Sequence, residues 1–150
     1  MAEIKYTIKL TPISKKNSQQ ILTNRATGRP FIMPSKQYKA YEKDAQLFLR
    51  PKPPRPISCP VNVKCVFYMP TYRLTDKSNL EEAAHDVLVA AGILADDNRD
   101  IIASTDGSRV LYDKANPRTE ITITRVYDYP QWSKKYANGQ TALCAGGSKQ

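Results

Sequence analysis

Residues 76–92 read DKSNLEEAAHDVLVAAG, and this stretch decides the fold prediction. Its apolar residues recur at spacings of three and four, which is the period of one helix face. The pattern predicts an amphipathic helix from Asn79 to Ala91, closed by Gly92. Ser78, with Glu81 three residues later, matches a capping box, so Ser78 is predicted to be the structural cap of the helix. The predicted buried stripe consists of Leu80, Ala83, Ala84, Val87, Leu88 and Ala91.

Acidic residues lie on the other face of this predicted helix and beyond both of its ends. Carboxylate oxygens are the ligands that Mg²⁺ prefers, with water and phosphate completing the octahedron. A loop that reverses after the helix would bring Asp97 back beside Asp76. Each acid also has a simpler interpretation, as a helix-end charge, a solvated side chain or a turn residue. The predicted ligands of Mg²⁺, or of Mn²⁺, are Asp76, Glu82, Asp86, Asp96 and Asp97.

Alternating apolar residues elsewhere in the chain predict a sheet. Three strands are expected, from Tyr6 to Leu10, from Val61 to Met69 with Cys65 in the core, and from Glu120 to Tyr127. Residues 21–32 are compatible with an irregular hairpin. Residues 101–111 form either a hairpin or one kinked strand, because Asp106-Gly107 interrupts them.

A second helix, capped by Ser35, is expected to run to about Leu49. These elements predict an α+β fold, in which a mixed or antiparallel sheet and two main helices form one small domain over residues 1–129. Residues 130–150 are polar and rich in glycine, so they are expected to be a poorly ordered tail.

The net charge of +9 is unevenly distributed along the 150 residues. Residues 1–56 carry +9, whereas residues 76–100 carry −5. A basic surface favours a polyanionic partner, most often nucleic acid. Lysines that hold phosphates, combined with carboxylates that hold a divalent cation, are what a metal-dependent nuclease needs. A basic protein with an ordinary charged helix shows the same totals.

Several classes of protein are excluded or disfavoured. No apolar run approaches the ~18 residues of a membrane span, and residues 1–5 lack the apolar core of a secretory signal. Neither common phosphate-binding glycine motif occurs, so no nucleotide cofactor is expected. The 3 cysteines build no disulfide framework, which favours a reducing cytoplasm. The single histidine, His85, lies beside the apolar stripe and is predicted to be a hydrogen-bonded surface or interface residue rather than a zinc ligand.

The central block resembles the RusA family of Holliday-junction resolvases. The family signature is D-x-D-N-L-x-K-A-x-x-D-x-L, followed by G and then a D-D pair. Residues 76–88, Gly92 and Asp96-Asp97 follow it in order and at the right gaps. The polar stretch at residues 14–17 and the strand at residues 121–124 are also similar, so the resemblance covers roughly residues 4–126.

The resemblance implies a homodimeric endonuclease that binds four-way DNA junctions and makes paired symmetric nicks with Mg²⁺, in recombination and repair. Asp76 and Asp97 match the catalytic aspartates, and Asp86 matches the acidic position on the helix. Two positions depart from the pattern: Ser78 replaces the second aspartate, and Glu82 replaces the lysine. A junction-binding module of the same fold with weak or no cleavage is therefore an alternative, as is an interaction protein that binds a partner through its acidic helix face.

Basic and polar residues outside the acidic window are expected to contact DNA. Such contacts with phosphate recognise shape and position rather than base identity, and they weaken steeply with salt. The predicted DNA-binding residues are Lys15, Lys16, Asn17, Arg25, Arg29, Lys36, Arg73 and Lys77.

Overall fold

The computed structural model describes residues 3–14 and 19–127, apart from the side chains of residues 19–20 and 32–34. Within these residues the strands are β1 (Ile4–Ile8), β2 (Gln19–Thr23), β3 (Pro30–Pro34), β4 (Val61–Met69), β5 (Ile102–Ser104), β6 (Arg109–Tyr112) and β7 (Arg118–Arg125). The helices are α1 (Lys36–Ala45), which continues as a 3-10 turn at Gln46–Phe48, and α2 (Lys77–Ala90). The predicted tail, residues 130–150, lies outside the described residues, as do Lys15, Lys16 and Asn17.

The main sheet is mixed, as predicted. Its order is β1-β7-β4, and both β5 and β6 lie on the far side of β4. The β1–β7 and β7–β4 pairs are antiparallel, whereas β5 and β6 both run parallel to β4. Residues 101–111 are therefore one interrupted edge strand and not a hairpin. With two helices beside this sheet, the predicted small α+β domain is confirmed.

The interruption of the edge strand is held by one asparagine of β4. The Asn62 Oδ1 atom accepts hydrogen bonds from the Ser104 hydroxyl at 2.6 Å and from the Asp106 N–H at 2.7 Å. The Asn62 side-chain amide donates to the Asp106 carbonyl at 3.2 Å. Gly107 has a φ of 89°, which favours glycine, and a Cβ atom there would lie 3.1 Å from Lys64 Cδ.

One face of the main sheet forms the core together with the helices. The strand register aligns Tyr6, Ile121 and Cys65 across β1, β7 and β4, and all three are buried. The predicted apolar stripe of α2 is buried in full, and most of its residues belong to the same cluster as these strand residues. Cys65 is a free thiol of this core, as expected. Cys59 is also buried and is disulfide-bonded, which the odd number of cysteines did not predict.

The helices differ from prediction only at their ends. The Ser35 Oγ atom caps α1 by accepting from the Tyr38 N–H at 3.1 Å, as predicted, but α1 ends at Ala45 and gives way to the 3-10 turn. The α2 helix begins two residues earlier than predicted, at Lys77. No helix of the described chain is long and apolar enough to cross a membrane.

β2 and β3 form a two-stranded sheet of their own. The predicted hairpin in this region is thus confirmed, and its strands are regular, with five register pairs from Gln19↔Pro34 to Thr23↔Pro30. Every side chain described between residues 21 and 31 is exposed. The hairpin therefore adds no described side chain to the core.

Candidate active site

Asp76, and not Ser78, caps the amino-terminal end of α2. The Asp76 Oδ1 atom accepts from the Ser78 N–H at 3.0 Å and from the Ser78 hydroxyl at 2.7 Å. A carboxylate is a good N-cap, and its charge also complements the positive end of the helix dipole. The prediction that Ser78 is the structural cap is wrong, because the helix starts earlier and Ser78 serves as a donor to the true cap.

The predicted capping box is also absent from this helix end. Glu81 is 9% exposed, and its Oε1 atom pairs with the Lys77 ammonium at 2.9 Å. The buried Cys65 thiol lies near it, and burial together with the Glu81 charge raises the pKa of Cys65 to about 12. Glu81 therefore lies on the buried side of α2. Lys77, a predicted DNA-binding residue, forms an ion pair with it.

Carboxylates gather near the other end of α2 and in the loop that follows it. The Asp96 side chain accepts from the Asp97 N–H at 2.7 Å and from the Asn98 side-chain amide at 3.2 Å, and these bonds lower the pKa of Asp96. The pKa of Asp97 is raised by partial burial, by its hydrogen bond with Asp96 and by repulsion from Asp86. A cation placed here would relieve that repulsion.

His85 borders this group of acids. Burial lowers the pKa of His85, against the opposing pull of Glu81, Asp97 and Asp86. Its Nε2 atom is buried and has no hydrogen-bond partner among the described residues. His85 is half-buried, and the prediction of a hydrogen-bonded surface histidine is wrong for this nitrogen within the described chain, whereas an interface role stays a prediction.

The predicted metal ligands are distributed along the whole of α2. Asp86 follows Asp76 by ten residues, which is about 15 Å along a helix axis. The structure brings Asp86, Asp96 and Asp97 into one electrostatic group, while Glu82 is exposed on the helix surface. The pairing of Asp76 with Asp97 stays a prediction.

The described residues contain no group of three or more His, Cys, Asp or Glu side chains that could hold a metal ion. The described part of one chain therefore provides no complete protein cage for a cation. Magnesium at phosphate-processing sites is commonly held by one or two carboxylates plus substrate phosphates. Asp86 is near enough to Asp97 for its charge to raise the pKa of Asp97, so these two acids are candidates for such an open site.

One contact near this group was missed by sequence reasoning. The Tyr38 hydroxyl lies 3.4 Å from Glu42 Oε2 and 3.4 Å from the Ala83 carbonyl, so it links α1 to α2. Burial raises the pKa of Tyr38, and the charges of Glu42 and Asp86 raise it further. The four-residue spacing of Tyr38 and Glu42, which places the two side chains on one face of a helix, is the sequence signal that could have found this contact.

Four of the described residues that are predicted to bind DNA lie outside α2 and the loop that follows it. Arg25 and Arg29 lie in the turn of the β2–β3 hairpin, and Lys36 is the first residue of α1; all three are exposed. Arg73 is exposed and lines a cavity of about 370 Å³, together with Thr75 and Leu80. This cavity adjoins the amino-terminal end of α2, where Asp76 lies.

Comparison with protein families agrees with this arrangement. The model of the family described as "Endodeoxyribonuclease RusA" matches residues 9–124, which include both helices, the hairpin and almost all of the sheet from β4 onwards. The fold is thus that of a family of endodeoxyribonucleases. The chain belongs to the RusA family, and the resemblance seen in the sequence is confirmed. A comparison with curated proteins finds no match.

Proposed function

We propose that this chain is a structure-specific endonuclease that resolves four-way DNA junctions by paired symmetric nicks, in recombination and repair. The observation that carries the proposal is the match of the RusA family model to residues 9–124. Asp76 and Asp97, which the sequence resemblance proposes as the catalytic aspartates, both lie in this range. The charge distribution supports it, because a protein of net charge +9 has its acids concentrated in residues 76–100.

The reaction is proposed to need Mg²⁺, for which Mn²⁺ could substitute. Asp86 and Asp97 would hold the ion, with Asp76, Glu82 and Asp96 as the further predicted ligands. When bound, such an ion polarises a phosphodiester and lowers the pKa of water. The contribution of the chain is a set of carboxylates fixed by α2 and by the hydrogen-bonded turn that starts at Asp96.

A homodimer is proposed on grounds of symmetry. A four-way junction has near-twofold symmetry, and two symmetric nicks require two sites related by the same axis. The proposed DNA contacts are those predicted above, and among the described residues Arg25, Arg29, Lys36 and Arg73 are exposed for them. The cytoplasmic location stays a prediction.

A second candidate is a junction-binding module that cleaves weakly or not at all. Ser78 favours this candidate, because it stands where the family pattern has an aspartate. In addition, its hydroxyl donates a hydrogen bond to the Asp76 carboxylate. Serine brings no fixed charge to a cation, so the chain has one acid fewer than the pattern at this end of α2.

The test is cleavage of a synthetic four-way junction with Mg²⁺ or Mn²⁺. The expected result is one nick in each of two opposite strands. Asp97→Asn is expected to lower the rate about 100-fold, or ~2.7 kcal/mol of transition-state stabilisation, with junction binding retained. Asp76→Asn is expected to act in the same way. Asp44→Asn, an exposed acid on α1, removes the same charge and should leave the rate unchanged. Tight junction binding without nicks in either metal would favour the second candidate.

A further inference from the structure

The β2–β3 hairpin is a basic ribbon that stands apart from the core. We define the arm as residues 19–34. Its strands pair only with each other in the described chain, and its described side chains are exposed on both faces: Ile21 is 75% exposed, Leu22 41% and Phe31 40%. A two-stranded hairpin is only marginally stable in water without a partner surface.

The turn of the arm holds its two arginines in a fixed loop. The Asn24 N–H donates to the Arg29 carbonyl at 2.9 Å, and the Gly28 N–H donates to the Asn24 carbonyl at 2.7 Å. The Asn24 side chain accepts from the N–H groups of Ala26 and Thr27, at 2.8 and 3.3 Å. Arg25 and Arg29 therefore project from a hydrogen-bonded tip, which lowers the entropy cost of contacts made there.

The charge of the arm is entirely positive. No acidic residue occurs between Glu3 and Glu42, so the arm and its surroundings in the sequence carry no anion. Neither Arg25 nor Arg29 forms an ion pair within the part of the chain that the structure describes. A second copy of the chain also has a net charge of +9 and repels such a tip overall, whereas DNA attracts it.

The dimensions of the arm match one feature of DNA. Strands of five residues are about 17 Å long, and two paired strands lie about 4.8 Å apart before side chains are added. The major groove, about 12 Å wide, admits a two-stranded ribbon, while the minor groove, about 6 Å wide, is too narrow for one. Exposed apolar side chains suit the major groove as well, because thymine methyl groups line it.

We propose that the arm lies in the major groove of one duplex branch of the junction. Arg25 and Arg29 would contact phosphates, and the apolar side chains of the arm would lie against base edges. This inference rests on the proposed function, since it describes a second contact with the same junction DNA, at a place other than the acidic group. An arm of ~17 Å spans about five base pairs at ~3.4 Å each.

The first test measures the salt dependence of junction binding in the full chain, in EDTA so that no cleavage occurs. The double variant Arg25→Gln/Arg29→Gln is expected to reduce the slope of log affinity against log salt by about 1.8, because each lost phosphate contact removes about 0.9. The matched control is Lys52→Gln/Arg55→Gln, which removes the same charge from two exposed residues elsewhere. Its slope is expected to stay within ~0.3 of the unaltered value.

The second test shortens the arm without touching the core. Ile21 and Ile32 are register partners, so replacing residues 22–31 by Asn-Gly closes a two-residue hairpin turn between them. The variant loses two paired residues from each strand, about 7 Å, so the expected footprint on the duplex contracts by about two base pairs. Bulky groups on the pyrimidine 5-position occupy the major groove, so they should weaken DNA binding by the unaltered protein but not by the shortened variant. The minor-groove ligand netropsin should not displace the unaltered protein from DNA.

The outcomes separate this inference from the proposed function. An unchanged slope for the arginine variant, an equal loss in the control, or displacement by netropsin overturns the major-groove arm and leaves the endonuclease intact. Conversion of a dimer to a monomer by the shortened arm, seen by light scattering, overturns it in favour of a second copy as the partner. Absence of junction binding by the unaltered protein overturns the proposed function and the arm together.

Discussion

Ser78→Asp restores the aspartate of the family pattern, and the structure allows its effect to be worked out. The Ser78 hydroxyl donates to Asp76 at 2.7 Å, and both residues are exposed. The variant replaces this donor with a second carboxylate close to the first. It is therefore expected to destabilise the metal-free protein and to make its stability depend on divalent cations.

Three contributions set the magnitude without metal. Loss of the hydrogen bond costs about 1 kcal/mol. Repulsion of two solvated charges ~4 Å apart costs about 1 kcal/mol. The helix dipole stabilises an acid in the first turn by about 0.5 kcal/mol, which offsets part of this cost. The net cost is about 1.5 kcal/mol, or roughly 5 °C in Tm for a chain of this size. A cation bound only to the folded state at ten times its Kd offsets about 1.4 kcal/mol of this cost.

The assay is thermal unfolding with EDTA and with Mg²⁺, and Ser78→Ala is the matched control. Alanine removes the same hydroxyl but adds no charge, so its Tm is expected to fall by a smaller amount that Mg²⁺ does not restore. Equal Tm values for Ser78→Asp and the unaltered protein in EDTA would refute the reasoning. So would an Mg²⁺ response of Ser78→Asp no larger than that of Ser78→Ala.

Three further results are expected. Leu88→Ala should lower the free energy of unfolding in urea by about 2–5 kcal/mol, because Leu88 is fully buried, whereas Leu74→Ala, at a residue 97% exposed, should change it by less than ~0.5 kcal/mol. Asn62→Ala should cost about 1–2 kcal/mol and speed hydrogen exchange of the Asp106 amide, since three hydrogen bonds of the edge turn are lost; unchanged exchange would contradict this. The pKa of Asp97 is raised in the folded protein, so its ionisation lowers stability as pH rises above the unfolded value of about 3.9. In EDTA, Asp97→Asn should therefore have a higher Tm than the unaltered protein at pH 7, and a difference that does not vanish below about pH 4 would contradict the assignment.

Periodicity predicted the parts of the fold in which one face of an element is buried. The stripe of α2 and the alternation of β4 were both found as expected, because burial on one face imposes a period of 3.6 or 2 on the sequence. The path of residues 101–111 was left open between two alternatives. A hairpin and an interrupted edge strand have the same local pattern, and only the pairing of both β5 and β6 with β4 distinguishes them.

The candidate site was predicted in composition but not in arrangement. Asp76 and Ser78 are both good capping residues two positions apart, and local preference cannot choose between them. The group of Asp86, Asp96 and Asp97 depends on the path of the loop after Gly92, which long-range packing decides. Burial of Glu81 and of the His85 nitrogen depends on how α2 is rotated against β4, and the sequence carries no direct signal for that rotation.

α2 combines the core and the candidate site in one element, and the arm separates substrate contact from both. The apolar stripe of α2 fixes its rotation, and that rotation fixes where Asp86 lies, so changes in the core under α2 must also displace the carboxylates. The arm adds no described side chain to the core, so its length and charge can change without disturbing the acids. Substitutions in the arm can thus change which DNA duplex is bound without changing the acids proposed to carry out cleavage. Changes in DNA preference within this fold should therefore concentrate in residues 19–34, while changes on α2 alter stability and cleavage together.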